Sequence, residues 1–161
     1  MVFIGTYEHT IDAKNRLAIP SDVRAQIRAA SGADPSDSIG FYVTLGEAKA
    51  LYLYTESGFE QRAVDLIQSD ADPDQLLVYE RLYFSLTRRV EMDSVGRIRL
   101  PENLIKLAAL GNDVVLLGVN DHFEIRDREI WYTDMGTLLK DERRLLMDPR
   151  RAMRQSRTRG K

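Results

Sequence analysis

The chain has no cysteine in its 161 residues. Disulfides and thiolate metal sites are therefore excluded, and the redox compartment is left open. Histidine is almost as scarce: His9 and His122 are the only two, each in a strand-like stretch without a nucleophile or metal-ligand spacing beside it. Gly5, Gly40, Gly46 and Gly118 stand isolated, so no phosphate-cradling glycine loop is present. No apolar run approaches the ~18 residues a membrane helix needs, and residues 1–4 are too short for a signal peptide. Asp70, Asp72 and Asp74 surround Pro73 in what reads as a solvated linker rather than a metal site. These absences predict a cytoplasmic protein that is not an enzyme, with no cofactor, metal, small-molecule substrate or membrane partner.

What is there is ordinary in bulk, 43% hydrophobic and 30% charged, enough for one core or for two half-size units sharing one. The net charge of −2 argues at first against nucleic acid. Its distribution points the other way. Residues 150–161 hold Arg150, Arg151, Arg154, Arg157, Arg159 and Lys161 and no acidic residue, so 17 of the 23 basic residues face 25 acidic ones in the remainder. An acidic body thus precedes a basic tail too poor in apolar residues to pack, which predicts disorder there and either a DNA arm or a solubilising end.

The chain also repeats itself. Ile11-Asp12-Ala13-Lys14-Asn15-Arg16-Leu17-Ala18-Ile19-Pro20 matches Met92-Asp93-Ser94-Val95-Gly96-Arg97-Ile98-Arg99-Leu100-Pro101 as apolar-Asp-x-x-x-Arg-apolar-x-apolar-Pro, at a constant offset of 81. Leu51-Tyr52-Leu53-Tyr54 with Phe59 matches Phe123-Glu124-Ile125-Arg126 with Trp131 at an offset of 72, so the first copy carries nine extra residues, placed in the loop 30–40. One small unit has been duplicated, and its function is exercised at least twice.

Asn15 and Gly96 occupy the same place in the two copies and are the residue types that tolerate positive φ, so each marks a sharp left-handed turn. Thr6 to Ile11 and Arg88 to Met92 read as strands before the turn. After it, Leu17 and Ile19 alternate with Arg16 and Ala18, and Ile98 and Leu100 with Arg97 and Arg99, placing aliphatics on one face. Pro20 and Pro101 end these strands, with Ser21 or Asp22 and Glu102 or Asn103 as candidate helix caps. Asp12 and Asp93 can accept from turn amides and orient Arg16 and Arg97, whose five N–H groups exceed what one carboxylate binds. Either the pair only staples the turn, or it aims a fixed arginine at phosphate or guanine. An exposed pair returns only ~0–1 kcal/mol. Two copies, with Lys14 in one and Arg99 beside the other, favour a ligand of repeated negative charge.

The doubled motif, with the opening Phe3-Ile4-Gly5-Thr6-Tyr7-Glu8-His9, resembles the MraZ family of bacterial regulators of the division and cell wall gene cluster, over about residues 1 to 135. The resemblance implies an α+β fold: a tandem double swapped-hairpin barrel related to AbrB, two half-barrel repeats per chain, with linking helices. It further implies ring-shaped homo-oligomers and binding of double-stranded DNA at repeats in the promoter of its own operon, hence association with the nucleoid. Carried over by position, it places the family's DNA-contacting motif residues on Asp12, Lys14 and Arg16 and on Asp93 and Arg97. Joined with the reading of the turns, the expected DNA-binding residues are Lys14, Asn15, Arg16, Arg97 and Arg99, with Asp12, Asp93 and Gly96 orienting the loops. Asn15 departs from the glycine usual there, and the loop 30–40 is longer than usual.

The organisation expected is a first repeat over 1–56, linking helices over 57–86, a second repeat over 87–135, a C-terminal helix over 136–149 and the basic tail 150–161. Val23, Ile27 and Ala30 recur at helical spacing. Ile39 to Leu45 and Ala50 to Tyr54 form a hairpin, with Leu51 and Leu53 facing one way and Tyr52 and Tyr54 the other. Helices follow over 57–69 and about 74–84, their exposed aromatic surface suited to packing between subunits. A helix over 104–110 stops at Gly111-Asn112, and Val114 to Val119 with His122 to Arg126 form the second hairpin, turning at Asn120-Asp121. Residues 127–147 are helical with a break at Gly136. Three functions compete. The first is a transcription regulator, probing DNA with two loops per chain. The second is a ring-forming scaffold that binds protein through its aromatic helices. The third is an antitoxin, against which the duplication argues, since antitoxins usually carry one hairpin unit.

Overall fold

The computed structural model describes residues 2–141. The chain runs β1 (Thr6–Thr10), β2 (Arg16–Ala18), α1 (Ser21–Ser31), β3 (Gly40–Leu45), β4 (Leu51–Thr55), α2 (Glu56–Ile67), α3 (Pro73–Leu86), β5 (Arg88–Glu91), β6 (Arg97–Arg99), α4 (Glu102–Leu107), β7 (Asp113–Val119), β8 (His122–Asp127) and α5 (Arg128–Asp141). It is an α+β fold, and the expected residues 142–149 of the last helix and the tail 150–161 lie outside the described residues. The chain divides into two compact units after Arg128.

In the first unit, the strands form an antiparallel six-stranded sheet in the order β1-β7-β8-β4-β3-β5 and a separate two-stranded ribbon, β2-β6. The expected barrel is not closed by strand pairing among the described residues: β1 and β5 remain the two edges of an open sheet. The order has a hidden symmetry. β1 and β5 are repeat equivalents, as are β3 and β7, and β4 and β8, so the sheet reads the same from either edge. Each repeat lends its leading strand to the other's hairpin, with Tyr7 opposite Leu116 and Arg88 opposite Val43. At the centre β4 meets β8 with Tyr52 opposite Glu124, the equivalent position of the other copy.

One sheet face and the ribbon enclose the main core. Leu17, Ile19, Val23, Ile27, Ile98, Leu100 and Leu104 pack there against Phe41, Val43, Leu51, Leu53, Leu116 and Ile125. Period-two alternation sends Tyr52 and Tyr54 to the opposite face, as expected. There Tyr54, Phe59 and Tyr83 form a smaller aromatic cluster under α2 and α3. Phe59 stacks on Tyr42 with ring centroids 4.4 Å apart and on Tyr83 at 5.9 Å. Thr55 caps α2 by accepting from the Gly58 amide, and Asp72 caps α3 by accepting from Asp74 and Gln75. The aspartate-rich linker is thus a helix start.

Several local expectations are corrected. The residues before α1 and α4 that take the cap position are Pro20 and Pro101, with no side-chain cap bond, so Ser21, Asp22, Glu102 and Asn103 already lie inside the helices or at their first turn. The Pro20 carbonyl accepts from the Arg24 amide at 3.0 Å, which starts the helix immediately after the proline. Nor do the nine extra residues all fall in a loop. α1 has eleven residues against six in α4, so five of the nine lengthen the helix. α4 ends at Leu107, before Gly111, because Ala109 takes a positive φ of 51°.

The second unit, from Glu129 onward, is represented by α5. This helix continues through Gly136 rather than breaking there, and it buries none of its residues. The apolar positions Ile130, Leu138 and Leu139 are exposed. No helix among the described residues is long and apolar enough to cross a membrane.

Candidate nucleic-acid interface

The two motif turns, L1 (12–16) and L2 (93–97), are built by the same bonds. In L1, Asp12 Oδ1 accepts from the Lys14 and Arg16 amides, both at 2.9 Å, and Oδ2 accepts from Arg16 Nε at 2.7 Å. In L2, Asp93 Oδ1 accepts from the Val95 amide at 3.0 Å and the Arg97 amide at 2.9 Å, and Oδ2 from Arg97 Nε at 3.0 Å. The Asn15 amide donates to the Asp12 carbonyl, and the Gly96 amide to the Asp93 carbonyl. Asn15 has φ 61° and Gly96 φ 85°, the left-handed conformation expected at both positions.

These bonds show in the acidity of the carboxylates. The Arg16 backbone amide is the largest influence on Asp12; with the Arg16 side chain and the Lys14 amide it outweighs partial burial and holds the pKa at about 2. Asp93 is lowered for the same reasons, the Arg97 amide first. Both aspartates are therefore ionised at any physiological pH. Each holds its arginine through Nε alone, and among the described residues the terminal guanidinium nitrogens of Arg16 and Arg97 have no hydrogen-bond partner.

The turns are also tied to each other. The Leu100 amide donates to the Asn15 carbonyl at 2.7 Å, and the Ile19 amide donates to the Gly96 carbonyl at 2.9 Å. Between them, β2 and β6 pair Arg16 with Arg99, Leu17 with Ile98, and Ala18 with Arg97. Paired residues share a face of a ribbon, and so do residues two apart. Leu17 and Ile98, both fully buried, point into the core. Arg16, Arg97 and Arg99 therefore occupy the opposite, outward face together, with Ala18 as its fourth position.

The sequence-derived site residues thus meet on one short ribbon and its two turns. Lys14 is exposed at the tip of L1, Arg99 is exposed on the ribbon, and Arg16 and Arg97 are half-buried. Like charges placed opposite each other, as Arg16 and Arg99 are, destabilise a pair of strands. Asp12 offsets Arg16, while Arg99 has no ion-pair partner among the described residues. The outward face of the ribbon therefore carries net positive charge.

Sequence reasoning missed Arg24 of α1, whose guanidinium lies against Gly96. The only signal available was its spacing four residues before Arg28 on a helix leaving the motif. The histidines do not join this surface. His122 lies on the far face of the sheet, its Nδ1 2.7 Å from Asp121 Oδ1 and its ring 4.4 Å from that of Tyr52. Among the described residues, no group of three or more histidines, aspartates or glutamates is placed to hold a metal ion.

Comparison with known proteins bears on this arrangement. A family model described as "MraZ protein, putative antitoxin-like" matches residues 2–75 and 83–143. A protein named Transcriptional regulator MraZ from Ureaplasma parvum serovar 3 is 34% identical over 130 residues, 81% of this chain and 84% of that protein. Proteins of the same name from Mycoplasmoides gallisepticum and Limosilactobacillus fermentum are each 37% identical. Their matches cover 78% and 81% of this chain, and 82% and 84% of those relatives.

Proposed function

Given that the chain belongs to the MraZ family, we propose that it is a transcription regulator that binds double-stranded DNA through the β2–β6 ribbon. Its targets are repeated sites in the promoter of the division and cell wall gene cluster, where it acts as a repressor. The observation that carries this reading is the gathering of Arg16, Arg97 and Arg99 on one outward face, braced by two matching turns. A two-stranded ribbon fits the major groove, where arginine reads guanine through paired bonds. Lys14 and Asn15 reach the backbone from the tip of L1. Asp12, Asp93 and Gly96 fix the direction of the arginines and need not touch the nucleic acid.

The duplicated units run over 1–56 and 87–135 and are joined by 57–86. Exchange of β1 and β5 is the swapped-hairpin feature, and the ribbon lying over the sheet completes the barrel-like shape. One ribbon makes few contacts, so its binding alone is weak and strongly salt-dependent. A ring of chains removes that weakness, since tethering raises avidity by ~10²–10⁴ without new contacts when the sites match the spacing. Exposed Val78, Tyr79 and Leu82 on α3 support such assembly. Gel shifts on DNA upstream of the gene, with one repeat and with an array in register, test this. Binding stronger by orders of magnitude on the array is expected, and equal affinity refutes it.

The same α3 surface favours a second reading, a ring scaffold that recruits another protein without specific DNA binding. In that case binding to the promoter array would not exceed binding to a scrambled duplex.

A further inference from the structure

The L2 turn is covered by a residue of the other repeat. Were Gly96 to carry a Cβ, that atom would run into Arg24 Nη1 and stand 2.7 Å from Cζ and 3.0 Å from Nε. The Arg24 guanidinium therefore lies flat against the turn backbone. Its Nε is buried without a hydrogen-bond partner, and among the described residues Arg24 has no ion pair. One helical turn on, Arg28 Nη1 donates to the carbonyls of Asp34 at 2.8 Å and Asp37 at 3.3 Å, again with no carboxylate. Between α1, the loop after it and L2 opens a polar cleft of about 400 Å³ lined by Arg24, Arg28, Ser36, Ser38, Asp93 and Ser94. Of the two carboxylates in its lining, Asp93 is paired with Arg97, which offsets its charge, and Asp37 Oδ2 accepts from the Asp34 amide, so one carboxylate faces the two guanidinium groups of Arg24 and Arg28.

The cleft beside L1 is built differently: about 480 Å³ in volume and lined by Asn15, Arg88, Arg89, Arg99 and Glu102, it takes no arginine from the helix that follows the other copy's motif. By the offset of 81, the counterpart of Arg24 is Ile105, packed on the core, and that of Arg28 is Ala109, beyond the end of the shorter α4. The asymmetry runs the other way inside the turns. L1 carries Lys14, whereas L2 has Val95 at the same place. L1 thus has a second cation of its own and L2 lacks one, and Arg24 supplies a charge at that spot from across the repeat boundary.

We propose that Arg24, with Arg28 and Ser94, forms a phosphate-binding cleft beside L2 that grips the DNA backbone flanking the ribbon. The inference rests on the DNA-binding reading above and deepens it. Guanidinium suits phosphate because its planar fork makes two bonds at once. A phosphate oxygen in the cleft would accept from the terminal guanidinium nitrogens of Arg24, while the buried Nε stays against L2. Such a contact positions the protein without reading sequence.

The test is equilibrium binding of the full chain across a salt series, to a promoter-repeat duplex and to a scrambled duplex of equal length. Arg24→Gln should weaken both duplexes by the same factor and lower the slope of log K against log[salt] by about 0.9 for each protomer engaged. Because Arg24 also packs on Gly96, the double variant Arg24→Gln/Val95→Lys provides a second arm. Moving the cation onto the turn should restore the slope. An Arg24→Gln slope equal to wild type, or a loss confined to the promoter duplex, would mean that Arg24 only props L2 and would overturn the cleft. So would a double variant that folds but leaves the slope low. Failure of the underlying reading looks different: wild type would not prefer the promoter duplex, and Arg97→Ala would bind as wild type does.

Discussion

Leu17 and Ile98 stand directly opposite each other in the β2–β6 ribbon, and each is the other's counterpart in the duplicated motif. The pseudo-twofold axis of the chain therefore passes between them, as it passes between Tyr52 and Glu124 in the sheet. Placing the axis there puts Arg16 and Arg97 at equivalent positions on either side of it, on one surface. The departures from this symmetry are Lys14 against Val95 and Ala18 against Arg99, and on the DNA-binding reading proposed above they would set the polarity of the ribbon on its site.

Truncating either arginine should disable recognition and leave the fold intact. Arg16→Ala and Arg97→Ala are each expected to lose about 10- to 100-fold in specific affinity per contact, which is about 1–3 kcal/mol. Size-exclusion chromatography with light scattering should show unchanged assembly. Loss of the oligomer in both variants would make the Asp–Arg pairs structural staples instead.

The two turn positions should respond in opposite ways to substitution. Gly96→Ala meets both an unfavourable φ and the Arg24 guanidinium, and should cost about 1–3 kcal/mol in urea unfolding. Asn15→Gly relieves a left-handed non-glycine residue and should be neutral or gain up to about 1 kcal/mol. Equal responses would mean the turns do not bear the conformational load described.

Stability should depend on pH through His122 and Asp12. Burial works against charge on His122, but the carboxylates of Glu124 and Asp121 outweigh it and raise its pKa above 6.5. The unfolded chain has the ordinary value, so this contribution is fully present below 6.5 and is lost as pH rises through the raised value. Asp12 behaves conversely: its contribution is present above 3.8 and is lost as pH falls through about 2. Thermal melts across neutral pH should show a decline that His122→Gln removes. A wild-type profile as flat as the variant's would refute the assignment.

Phe59 joins α2 to the sheet through its rings with Tyr42 and Tyr83. Phe59→Ala should cost about 3–5 kcal/mol. Hydrogen exchange should then rise most in α2 and α3 rather than in the ribbon. Uniform loss of protection would show that the two cores are one cooperative unit.

Much of this arrangement was legible in the sequence because it is written locally. A repeated Asp-x-x-x-Arg, a glycine or asparagine between, and strict alternation after it specify a turn, a strand and which residues face outward. The hairpins at 39–54 and 114–126 were readable for the same reason. Strand exchange was not, since no pattern within β1 says whether its neighbour is β3 or its counterpart β7; only the assembled sheet decides. The starts of α1 and α4 were misplaced by one or two residues because Pro20 and Pro101 carry a helix-starting carbonyl without the hydroxyl or carboxylate by which caps are recognised. Arg24 was invisible for a related reason: its partner Gly96 lies 72 residues away and belongs to the other copy.

The exchange of leading strands has a consequence for synthesis. Thr6 finds its backbone partner only at Leu117, so a ribosome must make most of the chain before the first strand can be covered. Neither half can mature while the other is still being translated, and long-separation pairing of this kind is slow to form. Until residues 113–117 have been made, β1 has no strand to pair with, and the nascent chain carries it uncovered.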